Sequence, residues 1–554
     1  MEMTGGEAVA AALETLGVRH VFGIVSVHNL PIYDAIARRG TITPIGVRHE
    51  QAAAHAADGY ARATGELGVV IASTGPGTTN TMTGLFEASF ASSPVLLITG
   101  QIDSGYLGKA KGVLHEAEQQ ALMLSSLCRR VETVRRTEDI GRAVITVAAD
   151  IRAGRPQPGA VEIPIDQQYR RAGVSIPGPR TDAAYSPDPD ALAKVAGALE
   201  AATRPVLWAG GGVVSAGAAP ALVALAERLG APVVTTVEGR GSIPEDHPLC
   251  LGALTTSPQV EEIVSGADLV LAVGTRFQGS GTRNWRLSLR GTLAHLDADP
   301  AVIGRNYPAD LPVVGDARVG LELLLESIGQ GARVSTDPEH AAKARSAAEA
   351  ARGEARARLG EDHCQVMDAI RRHAPAESVI VRDATVPAYV WGDRLLPILR
   401  PRTSIRPASA AIGPGLPLAL GAAAGSGRPG SPGRPTVLIA GDGGFMLHVG
   451  ELVTAVQHDL PVVICLFNDR GYGVLRTIEA RQFDGRNFGV DLTTPDFVAL
   501  ATSMGVQATR VAAPAEFEPA FGAAIASGRP ALLDIDLLAF TPLTLPAPRP
   551  PGPA

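Results

Sequence analysis

Asp442 and Asp469 stand 27 positions apart, each where an apolar run gives way to glycine-rich chain: Gly441-Asp442-Gly443-Gly444-Phe445 follows Val437 to Ala440, and Asn468-Asp469-Arg470-Gly471-Tyr472-Gly473 follows Val462 to Phe467. A strand that runs into glycines and then into a helix, here expected over Gly450 to His458, leaves free backbone N–H groups and the positive end of a helix dipole beside the turn, which suits a diphosphate. The two aspartates would then meet at the carboxyl edge of a parallel sheet, where open α/β sheets bind their ligands. Two carboxylates, a loop carbonyl and diphosphate oxygens form an all-oxygen shell for a hard cation such as Mg²⁺. A lone Gly-Asp-Gly is more often a simple turn; spacing and strand context favour the site.

The elements that must position these residues show in the hydrophobic pattern. Val95 to Gly100, Val206 to Gly210, Leu269 to Gly274, Val437 to Gly441 and Val462 to Phe467 are uniformly apolar rather than alternating. Such strands are covered on both faces, as in parallel sheets flanked by helices, and alanine-rich stretches such as Gln51 to Arg62 and Ala191 to Ala201 supply the helices. The fold class is α/β. A chain of 554 residues is long enough for three cores. Four prolines (Pro177, Pro179, Pro187, Pro189) interrupt Ala172 to Asp190, and an Ala/Arg/Glu-rich helix without a wide apolar face, read as a solvent-exposed connector, fills most of Gly329 to Asp362. The expected domains are 1–175, 186–335 and 360–541, with a proline-rich tail over 542–554.

Composition excludes several classes. A net charge of −7, with 19% charged and 45% apolar residues, gives no electrostatic reason to bind nucleic acid or an anionic membrane. The sequence shows no secretory signal and no apolar run of membrane-spanning length, so a cytoplasmic location is expected. Cys128, Cys250, Cys364 and Cys465 form no CxxC pair and read as reduced, structural residues. Gly210-Gly211-Gly212 lacks the spacing of a dinucleotide-binding turn and reads as a fold element.

Further motifs carry a resemblance. The segments Arg48-His49-Glu50, Gly75-Pro76-Gly77, Pro94 to Gln101 and Ala411-Ile412-Gly413-Pro414-Gly415-Leu416-Pro417, together with the Gly441 to Tyr472 region, occur in the order found in the thiamine-diphosphate enzymes that include acetohydroxyacid synthase, pyruvate oxidase, benzoylformate decarboxylase and benzaldehyde lyase. The chain resembles this family over nearly its whole length. The resemblance implies a pyrimidine-binding first domain, a central domain and a diphosphate-binding third domain, with thiamine diphosphate and Mg²⁺ as cofactors. By the same resemblance the metal ligands are Asp442, Asp469 and the carbonyl of Gly471. Asp469 stands where the family has asparagine, so one negative charge is added. Glu50 would act on the aminopyrimidine of the cofactor; alone, it would read as a carboxylate stabilised at a helix N-terminus. Ile412 would wedge between the cofactor rings, where the bland alternative is a core isoleucine. Gly75, Pro76, Asp383, Gly441, Gly443, Gly444 and Tyr472 complete the implied cofactor-binding set.

His28 falls where benzaldehyde lyase has an active-site histidine, and His115 where several relatives have glutamine; both are candidate proton donors, weighed evenly against scaffold roles. Leu475 replaces the glutamate of pyruvate decarboxylases. Leu254-Thr255-Thr256-Ser257-Pro258 replaces the FAD-contacting loop of acetohydroxyacid synthases and speaks against FAD. The resemblance therefore implies a carboligase of 2-oxo acids, acetolactate-synthase-like, working as a homodimer or homotetramer with active sites between subunits. The alternatives are a decarboxylase or C–C lyase on a bulkier substrate, and a catalytically silent cofactor binder.

Overall fold

Strands such as Val95–Gln101 and Val462–Asn468 are buried along their whole length, which requires helices on both faces of their sheets. A computed structural model of the chain describes residues 1–179, 185–328, 337–427 and 433–545 and contains three such sheets. Each has six strands, all parallel. Across the first sheet the strands are Thr43–Gly46, His20–Gly23, Gly68–Ala72, Val95–Gln101, Gly159–Pro164 and Arg130–Thr133. The second runs Cys250–Gly252, Val233–Thr235, Pro205–Ala209, Leu269–Val273, Thr292–Asp297 and Leu311–Val314. The third runs Ser404–Ile405, Val379–Arg382, Thr436–Gly441, Val462–Asn468, Ala531–Asp536 and Gln507–Val511. In this last sheet Gly441 pairs with Phe467, so the chain leaves both strands at one level and delivers Asp442 and Asn468 to the same edge. All four cysteines are free and buried.

The connectors are more engaged than composition suggests. The proline-rich stretch begins in Arg171–Gly173, which pairs antiparallel with Glu2–Thr4 and ties the first residues to the end of the first domain; its residues 180–184 lie outside the described residues. The second connector is the helix Pro338–Leu359, and it is not simply solvent-exposed. Ala344, Ala348 and Ala351 are buried in the cluster that holds Val260 and Val264, and Arg352 donates to the Cys250 carbonyl at 3.0 Å. Alanines at helical spacing make too thin a stripe to register as an apolar face, yet their small Cβ atoms allow close helix packing. Residues 329–336 of that stretch and 546–554 of the expected tail lie outside the described residues.

The first and third sheets are joined by the helices Glu50–Thr64 and Gly415–Ala424, which approach each other closely at Gly59 and Gly421. A Cβ on Gly59 would collide with the Leu418 carbonyl, and one on Gly421 with the Ala56 carbonyl. Beside this contact a partly buried ionic relay links all three units: Arg62 to Glu238 at 2.9 Å, Glu238 to Arg406 at 2.9 Å, and Arg406 to Asp393 at 2.9 Å. Burial opposes the charge on Glu238, but the Arg62 and Arg406 guanidiniums outweigh it and hold the carboxyl below its usual range.

Gly421→Ala should therefore destabilise the protein by about 1–3 kcal/mol through overpacking. Gly197→Ala, in the helix Pro189–Ala201 with open space around it, should be neutral or stabilising by up to about 1 kcal/mol. Denaturant midpoints of the two variants against the parent check both signs.

Candidate active site

Asp442 opens a four-residue helical turn, Asp442–Phe445, followed by the 3₁₀ turn Met446–His448 and the helix Glu451–Gln457. The expected helix over Gly450 to His458 is thus shorter, and the turn before it is itself helical. Asp442 is fully buried. Its Oδ2 accepts the Gly471 N–H at 2.9 Å, while its Oδ1 has no hydrogen-bond partner among the described residues. Burial, and then the neighbouring charge of Asp469, push the Asp442 carboxyl well above the usual range. Asp469 is approached by Arg476 at 3.3 Å, and Arg476 also pairs with Asp491 at 2.9 Å, bracing the loop against the following segment. A buried carboxylate oxygen without a donor, beside a second carboxylate, is chemically suited to a cation. Among the described residues no group of three or more His, Cys, Asp and Glu gathers for a metal. A cation here would accordingly draw on backbone and diphosphate oxygens as well as Asp442 and Asp469.

The glycines of this turn have close neighbours. A side chain at Gly443 would strike the Tyr472 ring, one at Gly444 would press on Ile412 and Asp383, and one at Gly441 would meet Thr385. Asp383 spends its oxygens on backbone amides, accepting from Ala384 at 2.7 Å, Gly413 at 3.0 Å and Gly415 at 3.2 Å. Burial nonetheless raises its carboxyl to about 6. Asp383 thus braces the segment that carries Ile412. Ile412 itself is 40% exposed, which sets aside the core reading.

The second group gathers on the first domain. Glu50 is the first residue of its helix, with His49 as cap, and its carboxylate accepts from Asn80 Nδ2 at 2.9 Å. The buried Glu451 of the third domain accepts the N–H groups of Arg48 at 2.9 Å and His49 at 3.2 Å, fixing the residues just ahead of Glu50. Pro76 begins the helix Pro76–Ala91, and Gly75, at φ 57°, allows the His115 carbonyl to lie against it. The buried Gln120 accepts the Gly75 N–H at 2.7 Å and donates to Glu162 at 2.7 Å. The His28 and His115 rings lie 5.2 Å apart, and each has a buried Nδ1 without a hydrogen-bond partner among the described residues. Burial, then His115, lower the His28 pKa, so this imidazole is neutral at pH 7. His115 adopts φ 63°, a left-handed backbone held at a cost. Asn80, Gln120 and Glu451 carry no sequence signal, because each works through a contact distant in the chain.

A cavity of about 250 Å³ opens elsewhere, where Gly211, Thr275, Arg276, Arg394 and Arg406 meet. Gly212 donates its N–H to the Gly274 carbonyl at 3.0 Å, in keeping with the glycine run as a fold element.

Comparison with known proteins agrees with this layout domain by domain. Family models described as the N-terminal TPP binding domain, the central domain and the C-terminal TPP binding domain of thiamine pyrophosphate enzymes match residues 3–123, 192–324 and 387–535. The chain belongs to the thiamine pyrophosphate enzyme family. Thiamine pyrophosphate, or thiamine diphosphate, is accordingly its cofactor. A probable acetolactate synthase large subunit of Methanocaldococcus jannaschii is 33% identical, over 96% of this chain and 92% of that protein. A probable 2-ketoarginine decarboxylase of Pseudomonas aeruginosa is 36% identical, over 91% and 88%. The acetolactate synthase isozyme 3 large subunit of Escherichia coli is 32% identical, over 94% and 92%. Among the described residues of this thiamine pyrophosphate enzyme, no helix is long and apolar enough to cross a membrane.

Cation affinity should follow the charge count at the Asp442 edge. Asp469→Asn should weaken Mg²⁺ binding about tenfold, and Asp442→Ala should abolish it. Calorimetric titration of the metal-free protein with Mg²⁺ in the presence of the cofactor measures both.

Proposed function

We propose that the enzyme is a carboligase of 2-oxo acids, acetolactate-synthase-like, that removes CO₂ from one molecule and joins the remainder to a second carbonyl compound. The observation that carries this reading is the presence of both chemical halves, Glu50 with its Asn80 and Glu451 supports and the Asp442/Asp469 edge, in a chain that aligns with acetolactate synthase large subunits over almost its full length. When bound, thiamine diphosphate supplies the nucleophilic carbon and the electron sink. Glu50 would exchange a proton with the aminopyrimidine. Asp442 and Asp469 would hold Mg²⁺, the backbone at Gly443 and Gly444 would receive the diphosphate, and Ile412 would shape the bound cofactor. The paired imidazoles of His28 and His115 would hold or deliver a proton at the substrate oxygen.

We also infer that two copies form the working unit, each contributing one half of a site. Exposed apolar side chains lie on the segments that carry each half: Val25, Val27 and Leu114 beside the histidines, and Ile412, Leu447 and Leu475 on the diphosphate side. Apolar rims of this kind call for cover. A second reading, decarboxylation without ligation, is favoured by the histidine pair and by the likeness to the 2-ketoarginine decarboxylase.

Incubation with thiamine diphosphate, Mg²⁺ and pyruvate should yield CO₂ and acetolactate; CO₂ with aldehyde alone would select the second reading, and no product from any 2-oxo acid despite bound cofactor would overturn both. Glu50→Gln should slow deuterium exchange at C2 of the bound cofactor by at least about 10²-fold, the scale of general acid–base catalysis. Light scattering after size exclusion should give a dimer or tetramer.

A further inference from the structure

Glu87, on the helix Pro76–Ala91 of the first domain, is fully buried; its carboxylate is ion-paired with Arg62 of its own domain, but its hydrogen bonds go to another. Its oxygens accept hydrogen bonds from the Ala408 N–H, from the Ser409 N–H at 3.3 Å and from the Ser409 hydroxyl, all in the third domain. Arg62 stands 3.9 Å away, too far for a hydrogen bond. A buried carboxylate is costly unless its lone pairs are met, so this arrangement strongly favours one placement of residues 408 and 409.

Those residues begin the segment that ends at Ile412. Ala410 adopts φ 63° and Gly413 φ 100°, so the backbone is left-handed on both sides of the isoleucine. A non-glycine residue keeps such a conformation only when its surroundings over-determine it. The surroundings here include two carboxylates, Asp383 holding Gly413 and Gly415 from one side and Glu87 holding Ala408 and Ser409 from the other, with His448 Nδ1 at 2.9 Å from the Gly413 carbonyl. The helix that carries Glu87 also carries Asn80, which donates to Glu50. One rigid element therefore touches both the acid and the wedge segment.

We propose that Glu87 is a positioning residue that sets Ile412 from the neighbouring domain, coupling the docking of the first and third domains to the shape in which the cofactor is bound. The inference rests on the reading of Ile412 as the residue that shapes the cofactor.

The test uses Glu87→Gln, Ile412→Ala and the double variant in the full chain, followed by amide hydrogen exchange of residues 406–415 in the cofactor-free protein and by the Kd for thiamine diphosphate at saturating Mg²⁺. Glu87→Gln should speed exchange across 406–415 and weaken cofactor binding, each about tenfold, as expected for loss of charge-assisted hydrogen bonds. Ile412→Ala should weaken binding but leave exchange at Ala408 and Ser409 unchanged, and the double variant should bind no more weakly than the weaker single. Unchanged exchange and affinity in Glu87→Gln, or losses that multiply in the double variant, overturn the proposal. Should Ile412→Ala bind the cofactor normally, the wedge reading fails, while faster exchange in Glu87→Gln still upholds the positioning of the segment. If Glu87→Gln does not fold, Glu87→Asp, which keeps the charge but shortens its reach to Ala408 and Ser409, should show the same changes to a smaller degree, and its silence in both measurements counts against the proposal.

Discussion

Two helices that meet backbone to backbone set the geometry on which the rest of the molecule depends. Gly59 lets the Leu418 carbonyl approach, and Gly421 does the same for Ala56. Interior packing is dense enough that a single methyl group at either point must push the helices apart. One helix starts at the candidate acid Glu50 and the other at Gly415, three residues after Ile412. A shift of either helix along its axis would move a chemically important side chain with it. The two glycines at the crossing thus bear directly on where Glu50 and Ile412 stand.

Buried charge is the second theme, and it works in two ways. Arg62, Glu238, Arg406 and Asp393 alternate in sign across the junction of the three domains, so each desolvated group faces an opposite charge. Removing one member would strand its neighbours. Asp442 and Asp469 do the opposite, placing like charges together where burial already disfavours ionisation. Arg476 relieves part of this from the side of Asp469. The contrast separates charges that hold the fold from charges poised for a ligand.

The fold alone leaves the choice of reaction open, since one scaffold can host several chemistries through its loops. The relatives illustrate the point, with acetolactate synthases and a 2-ketoarginine decarboxylase at comparable identity. In this chain the candidate side chains for that choice, His28 and His115, are carried on loops of the first domain beside Gly100 and Gly75. His115 occupies a strained backbone position, which ties its ring to the loop's exact path.

What the sequence by itself determined was everything encoded over short range: uniformly apolar strands that require covered parallel sheets, the glycine turn that carries Asp442, the strand end that carries Asp469, and the ordered motifs around Glu50 and Ile412. Periodicity and turn chemistry are local, and so they can be read from neighbours in the chain. The docking of the helix Pro338–Leu359 escaped that reading because three buried alanines make too faint a stripe. Asn80, Glu87, Gln120 and Glu451 escaped it for a different reason. Each is an ordinary polar residue on a helix, and its role arises only when folding brings a backbone amide or carboxylate from tens to hundreds of positions away into hydrogen-bond range. Tertiary structure alone decided those pairings, because in the folded interior a polar group must find a partner, and which partner it finds depends on how the domains pack.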